Sequence, residues 1–258
     1  MSTSVVYNMD CMEYMRTLPN KAFDLAIVDP PYGGGSRERE RERERENCAA
    51  AEQAGSISQG RGSEAGLTST ILVARTGGTW AAKYSHQGGA FNKEQGDIRH
   101  WDIAPPKEYL QELARVSINQ IIWGANYFNM PPTRCFVIWR KLTISENFSM
   151  AMAEYAWTSF NGNAKVFECT PQGTQAEPRI HPTQKPVALY KWLLAKFAKP
   201  GDKILDTHVG SGSSRIACDE MGFEFVGCEI DKVYWELQEK RYSEWKKGAG
   251  SQLQFDFE

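Results

Sequence analysis

Across 258 residues, 30 Lys and Arg are set against 32 Asp and Glu, giving a net charge of −2 and a pI near 6.2. Hydrophobic content of 41% with eight Trp suits one substantial packed core with room for a small appendage, while the balanced charge argues against a protein held to nucleic acid by bulk positive charge. No apolar run approaches bilayer-spanning length, the start MSTSVVYNMD lacks a signal-peptide layout, and Cys11, Cys48, Cys135, Cys169, Cys218 and Cys228 form no CxxC pair; the expectation is a reduced, soluble, cytoplasmic protein with no metal site.

In chain order, Val5 to Tyr7 predicts a short strand, and Cys11, Met12, Met15 and Leu18 repeat at helical spacing until Pro19-Asn20 stops them. Phe23 to Val28 has the pattern of a buried strand and ends sharply at Asp29-Pro30-Pro31-Tyr32-Gly33. Residues 34–96 differ in character. Arg and Glu alternate strictly from Arg37 to Glu46, and an Ala, Gly, Ser and Gln-rich stretch follows; this is an insertion with no secondary structure of its own to assign until Trp80, Tyr84 and Phe91. Pro105-Pro106 then opens an amphipathic helix through Tyr109, Leu110, Leu113 and Val116. Ile118 to Trp123, Cys135 to Trp139 and Glu154 to Phe160 read as strands, and 161–180 as a polar stretch. A helix carrying Tyr190, Leu193, Leu194 and Phe197 follows, and the last quarter alternates strand, glycine turn, helix, strand, helix. The fold class expected is therefore α/β: a mostly parallel, doubly wound, Rossmann-like sheet formed by residues 1–33 and 97–258.

Ligands of such sheets sit beyond the carboxyl ends of the strands, and two of those ends are chemically loaded. In the run Ile204 to Ser213, Asp206-Thr207-His208-Val209 leads into Gly210-Ser211-Gly212-Ser213, whose glycines let backbone approach a ligand and leave N–H groups at a helix N-terminus. Some twenty residues on, Glu229 closes the next strand, where an acid accepts hydrogen bonds from ribose hydroxyls. This suits an adenosine-containing cofactor, and the absence of GxGxxG disfavours a nicotinamide. At the other end, the two prolines after Asp29 make a rigid loop. There the Asp29 carboxylate and the Pro30 carbonyl can each accept one N–H of an aromatic amine, and Tyr32 offers a stacking face worth about 1–3 kcal/mol.

Taken together these residues resemble the DNA amino-methyltransferases that modify adenine N6 or cytosine N4. Asp29-Pro30-Pro31-Tyr32 matches the family's catalytic DPPY, Gly210-Ser211-Gly212 is similar to its cofactor loop, and His181-Pro182-Thr183-Gln184-Lys185-Pro186 to the segment entering the cofactor-flanking helix. The catalytic motif comes first, as in the permuted β group. The resemblance implies S-adenosylmethionine as cofactor, with Asp10 and Cys11 beside its adenine, Glu229 on the ribose, Lys185 with Thr183 at the methionine carboxylate, Gly210, Ser211 and Gly212 along the methionine moiety, and Asp206, His208 and Ser213 as further cofactor-binding residues. Thr207 and His208 stand where the family usually has Pro-Phe. It also implies double-stranded DNA as partner, with the target base flipped out, and a homodimer. Asp at the head of the motif favours adenine over cytosine; a non-catalytic DNA-binding chain retaining the fold is the alternative from another class. Target readout is expected in the 34–96 insertion or in 161–180.

Overall fold

The structure is a computed structural model that describes residues 3–33, 104–148, 150–171 and 179–253, with side chains described to residue 248. The chain divides into two units, Met1–Tyr32 with Pro105–Glu258, and Gly33–Ala104; of the expected insertion, residues 34–96 lie outside the described residues.

The first unit is built on an eight-stranded sheet. Its elements are β1 (Ser4–Tyr7), α1 (Cys11–Arg16), β2 (Phe23–Val28), α2 (Lys107–Val116), β3 (Ser117–Trp123), β4 (Phe136–Lys141), β5 (Ala153–Thr158), β6 (Lys165–Cys169), α3 (Val187–Phe197), β7 (Lys203–Asp206), α4 (Ser213–Glu220), β8 (Glu224–Cys228) and α5 (Lys232–Leu253), with a short 3-10 turn at Ala125–Tyr127. The strand order is β1-β8-β7-β2-β3-β5-β4-β6. Pairing is parallel from β1 through β3 and between β4 and β6, and β5 runs antiparallel between β3 and β4.

Burial on both faces explains the strand sequences. Leu25 and Ile27 of β2, with Ile121 and Trp123 of β3, enter one apolar cluster together with Leu189, Leu193 and Leu194 of α3 and Ala217 of α4. Their alternates Ala26, Val28 and Ile122 enter the opposite cluster with Met15 of α1 and Tyr109, Leu113 and Val116 of α2. A period of two on strands covered from both sides gives the continuous apolar runs of a doubly wound sheet. Each fully buried Leu or Ile there contributes about 1.5–3 kcal/mol.

The helix signals act where the sequence put them. Asp10 caps α1, its Oδ1 accepting from Met12 N at 2.7 Å and Glu13 N at 3.1 Å. Pro106 and Pro186 stand at the N-caps of α2 and α3. Two expectations need correction. Lys165–Cys169, inside the stretch read as polar, is the strand β6, paired to β4. Its alternation of exposed and half-buried residues is that of a sheet edge, which a search for buried runs passes over. The Glu154–Phe160 strand starts and ends earlier, at Ala153–Thr158, and reverses direction. Among the described residues no helix is long and apolar enough to cross a membrane.

Candidate active site

Strands β7 and β2 are hydrogen-bonded neighbours, with Leu25 beside Ile204 and Ala26 beside Leu205. Both run the same way, so Asp206 and the turn at Asp29 emerge side by side at one edge of the sheet. The connections out of β7 and β2 lead to opposite faces, which makes this the switch point of the sheet, where an open α/β fold has its crevice. Sequence separation of 177 residues is erased by one strand pairing.

The acidic turn is braced by charge. Asp29 Oδ1 accepts from the Tyr32 hydroxyl at 2.7 Å, and Oδ2 takes a hydrogen bond from Lys185 Nζ. Lys185, only 3% exposed, also lies 3.1 Å from Glu154 Oε2, and Glu154 Oε1 lies 2.6 Å from Lys141 Nζ. Two carboxylates and two ammonium groups thus alternate through the protein interior. Burial opposes the charge on Lys185, but Asp29 and Glu154 outweigh it and its pKa is raised. Burial likewise opposes the charge on Glu154, yet Lys185 and Lys141 hold its pKa below the ordinary value. Lys185 also sits over the Trp123 ring, 5.3 Å from its centroid.

Tyr32 is placed by glycine. Gly124 follows β3 with φ +64, and a Cβ built there would stand 1.9 Å from Tyr32 Cε1. The Tyr32 ring lies in that gap and stacks on Tyr127 at 4.8 Å. One face of the expected stacking residue is therefore already covered by the chain, and burial with the neighbouring Asp29 charge raises its hydroxyl pKa well above the usual value.

The second loaded end is built from glycine conformations and buried acids. Gly210 (φ +52) and Gly212 (φ +77) both adopt left-handed backbone that L side chains rarely take. Glu229 ties the bend to β8, accepting from Gly210 N at 2.8 Å through Oε2 and from Asp231 N at 2.9 Å through Oε1; its burial raises its pKa. Asp206 accepts from Ser214 Oγ at 2.6 Å and His208 N at 3.0 Å. Burial pushes its carboxyl up to about 7, with Asp29 and Glu229 adding to the effect. Arg241 donates to Ser211 O at 2.8 Å and Ser213 Oγ at 3.0 Å, and Ser211 and Ser213 share a hydroxyl contact of 3.1 Å. His208 stacks edge-on to Tyr109 at 5.5 Å and has its Nδ1 2.9 Å from Thr207 Oγ1; burial depresses its pKa to about 4. Asp10 and Cys11 stand at the end of neighbouring β1, where Asn8 donates to the Glu229 carbonyl at 2.9 Å.

The residues expected to act together thus meet along the carboxyl edge of β1, β8, β7 and β2. Two side chains are engaged differently from expectation. The Lys185 ammonium, assigned by resemblance to a methionine carboxylate, is taken by Asp29 and Glu154, because a buried cation requires anionic partners. Thr183 Oγ1 lies 3.1 Å from His181 Nδ1, and His181, packed edge-on to Tyr234, is held neutral by burial with a pKa of about 3. Glu154 and Lys141 were not singled out in the sequence. A charged residue inside an apolar strand pattern, AEYAWT or FVIWRK, was the available signal.

Comparison with known proteins places these features in context. The Type II methyltransferase M.HpaI of Haemophilus parainfluenzae is 39% identical over 61 residues, 24% of this chain and 19% of that protein. The Type II methyltransferase M2.DpnII of Streptococcus pneumoniae is also 39% identical over 61 residues, 24% and 23% of the two lengths. The matched segment thus spans about a fifth of these relatives. The PvuII DNA methyltransferase (cytosine-N4-specific) shares the fold, with a TM-score of 0.51 at 11% identity over 93% of this chain and 87% of that one. Residues 154–240, which carry Glu154, Lys185, the glycine bend and Glu229, match the family described as DNA methylase.

Proposed function

We propose that this chain is a DNA methyltransferase that uses S-adenosylmethionine to methylate the N6 amine of an adenine flipped out of duplex DNA. The observation that carries the reading is the emergence of the Asp29–Tyr32 turn and the Gly210–Gly212 bend from paired strands at one sheet edge. The family match over residues 154–240 supports the reaction class.

The residues present fit the cofactor. Glu229 keeps lone pairs beyond the two backbone bonds it accepts and lies where ribose hydroxyls can donate to it. The two left-handed glycines leave backbone uncovered by any Cβ. Asp10 and Cys11 border the adenine end, and Asp206, His208, Ser211 and Ser213 line the remainder. Bound S-adenosylmethionine supplies an electrophilic methyl group on a sulfonium sulfur.

The chain supplies position and charge. Asp29 uses one oxygen for Tyr32 and the other for Lys185, and a carboxylate with about four lone-pair sites retains capacity for an amine N–H. Holding that N–H, with the Pro30 carbonyl on the second, leaves the nitrogen lone pair free for in-line attack on the methyl carbon. As the N–C bond forms the C–S bond breaks, its electron pair stays on sulfur as a thioether, and the methylated amine gives up one N–H proton to solvent, with no covalent enzyme intermediate. Extruding the base costs about a few kcal/mol of stacking and pairing. By the same resemblance the chain belongs with the permuted β group and works as a homodimer; target readout falls to residues 34–96 or 161–180.

Asp29→Ala should abolish transfer of labelled methyl groups to DNA while S-adenosylmethionine binding, followed by calorimetry, persists. Turnover undiminished in that variant would refute the assignment. Mass analysis of nucleosides from the methylated DNA should return N6-methyladenine; N4-methylcytosine would replace adenine by cytosine in the same mechanism.

A further inference from the structure

The acid on β5 lies outside both the acidic turn and the glycine bend. Glu154 lies on the one antiparallel strand among those described, and reaches Lys141 of β4 through Oε1 (2.6 Å) and Lys185, ahead of α3, through Oε2 (3.1 Å). Its side chain is 25% exposed, against 3% for Lys185 and 6% for Lys141. Its Oε2 is buried and stands farther from Lys185 Nζ than Oε1 does from Lys141 Nζ.

We infer that Glu154 is a positioning residue for methyl transfer: it divides the Lys185 ammonium between two carboxylates, so that Lys185 orients Asp29 without saturating it. The inference rests on the methyltransferase reading and extends it to a residue outside the acidic turn and the glycine bend. The physics is the sharing of one buried cation, Lys185, between two acids. With Glu154 in place the four groups sum to zero. Without it Lys141 and Lys185 lose their shared acid, and Lys185, which already donates to Asp29 Oδ2, draws on that one carboxylate alone.

The charged and titratable groups around Lys185 are Asp29 and Tyr32 after β2, Lys141 on β4, Glu154 on β5, His181 in the preceding loop and Tyr190 on α3. Among them Asp29 and Glu154 are the two acids paired with it. Removing Glu154 therefore lets burial draw proton from Lys185 at lower pH.

The test is Glu154→Gln in the full chain, assayed for methyl transfer to DNA and for S-adenosylmethionine affinity. Transfer should fall on the order of 10- to 100-fold in kcat, the scale of a misplaced reacting group, with cofactor affinity within about twofold and the alkaline limb of the pH–rate profile moved to lower pH. Glu154→Asp, which keeps the charge, should recover part of the rate. If Glu154→Gln fails to fold, the charge-balanced pair Lys141→Met with Glu154→Met replaces the outer ion pair by apolar side chains and should show the same kcat loss. Wild-type kcat with an unmoved alkaline limb in either folded variant overturns the inference. That result, alongside an inactive Asp29→Ala, would leave the methyltransferase reading intact; an active Asp29→Ala would remove both.

Discussion

Replacing Gly124 by Ala tests how the acidic turn is held. The added methyl would stand 1.9 Å from Tyr32 Cε1 and 2.4 Å from Cζ, so the ring must leave its place. Three costs follow from contacts already described. The left-handed backbone at φ +64 costs an Ala about 1–2 kcal/mol. The displaced ring forfeits its stacking on Tyr127, about 0.5–1.5 kcal/mol. Its hydroxyl loses the bond to the Asp29 carboxylate, about 1.5–3 kcal/mol for a hydrogen bond to a charged group. Together they amount to about 3–6.5 kcal/mol, a large share of a domain stability of about 5–15 kcal/mol. Urea unfolding of wild type, Gly124→Ala, Tyr32→Ala and the double variant separates the terms. With the ring already absent, the alanine should cost only the backbone part, about 1–2 kcal/mol. A Gly124→Ala cost that is the same in both backgrounds would show that Tyr32 is not held by that gap.

Gly227→Ala should act at the other strand end: its Cβ would lie 2.3 Å from Val209 Cγ2 and 3.2 Å from the Asp206 carbonyl, an overpacking worth about 1–3 kcal/mol. Because Val209 opens the glycine bend, S-adenosylmethionine affinity should fall with stability, and Val209→Ala should recover part of both, the approaches to Phe225 Cε1 (3.1 Å) and the Asp206 carbonyl remaining; calorimetry and urea unfolding read the two. A pH dependence follows from His208, whose folded pKa of about 4 lies below its ordinary 6.5. The folded state then binds fewer protons than the unfolded chain between those values, so the contribution of neutral His208 is complete above pH 6.5 and is lost as pH falls toward 4. Asp206, raised from 3.8 to about 7, runs oppositely, costing stability as pH rises through that window. His208→Asn should therefore lose less stability than wild type between about pH 7 and pH 5; parallel pH curves for the two proteins would refute the buried neutral imidazole.

Much of the architecture was readable from local pattern alone. Phe23–Val28 is a run that only a strand covered on both faces can bury, and the prolines at 105, 106 and 186 announce helices because their fixed φ and missing N–H suit a first turn. The backbone of the turn at Asp29 and of the bend at Gly210 was legible for the same reason: each is a contiguous segment whose constraints are written in its residue types. Strand β6 escaped because an exposed edge carries no apolar run, and the reversal of β5 escaped because direction is a property of pairing, which no single strand encodes.

What tertiary structure alone decided is which charges meet. Asp29, Lys141, Glu154 and Lys185 come from four separate segments, and nothing in the spacing of 29, 141, 154 and 185 links them. Burial forces the link: an ammonium removed from water must find carboxylates, and the strand order determines which ones lie within reach. Local sequence specified the elements and the backbone of the two turns, because these depend on short-range sterics and hydrophobic period. The neighbour relations of β2, β7 and β5, and hence the environment of Asp29, depend on long-range pairing and were settled only when the sheet closed.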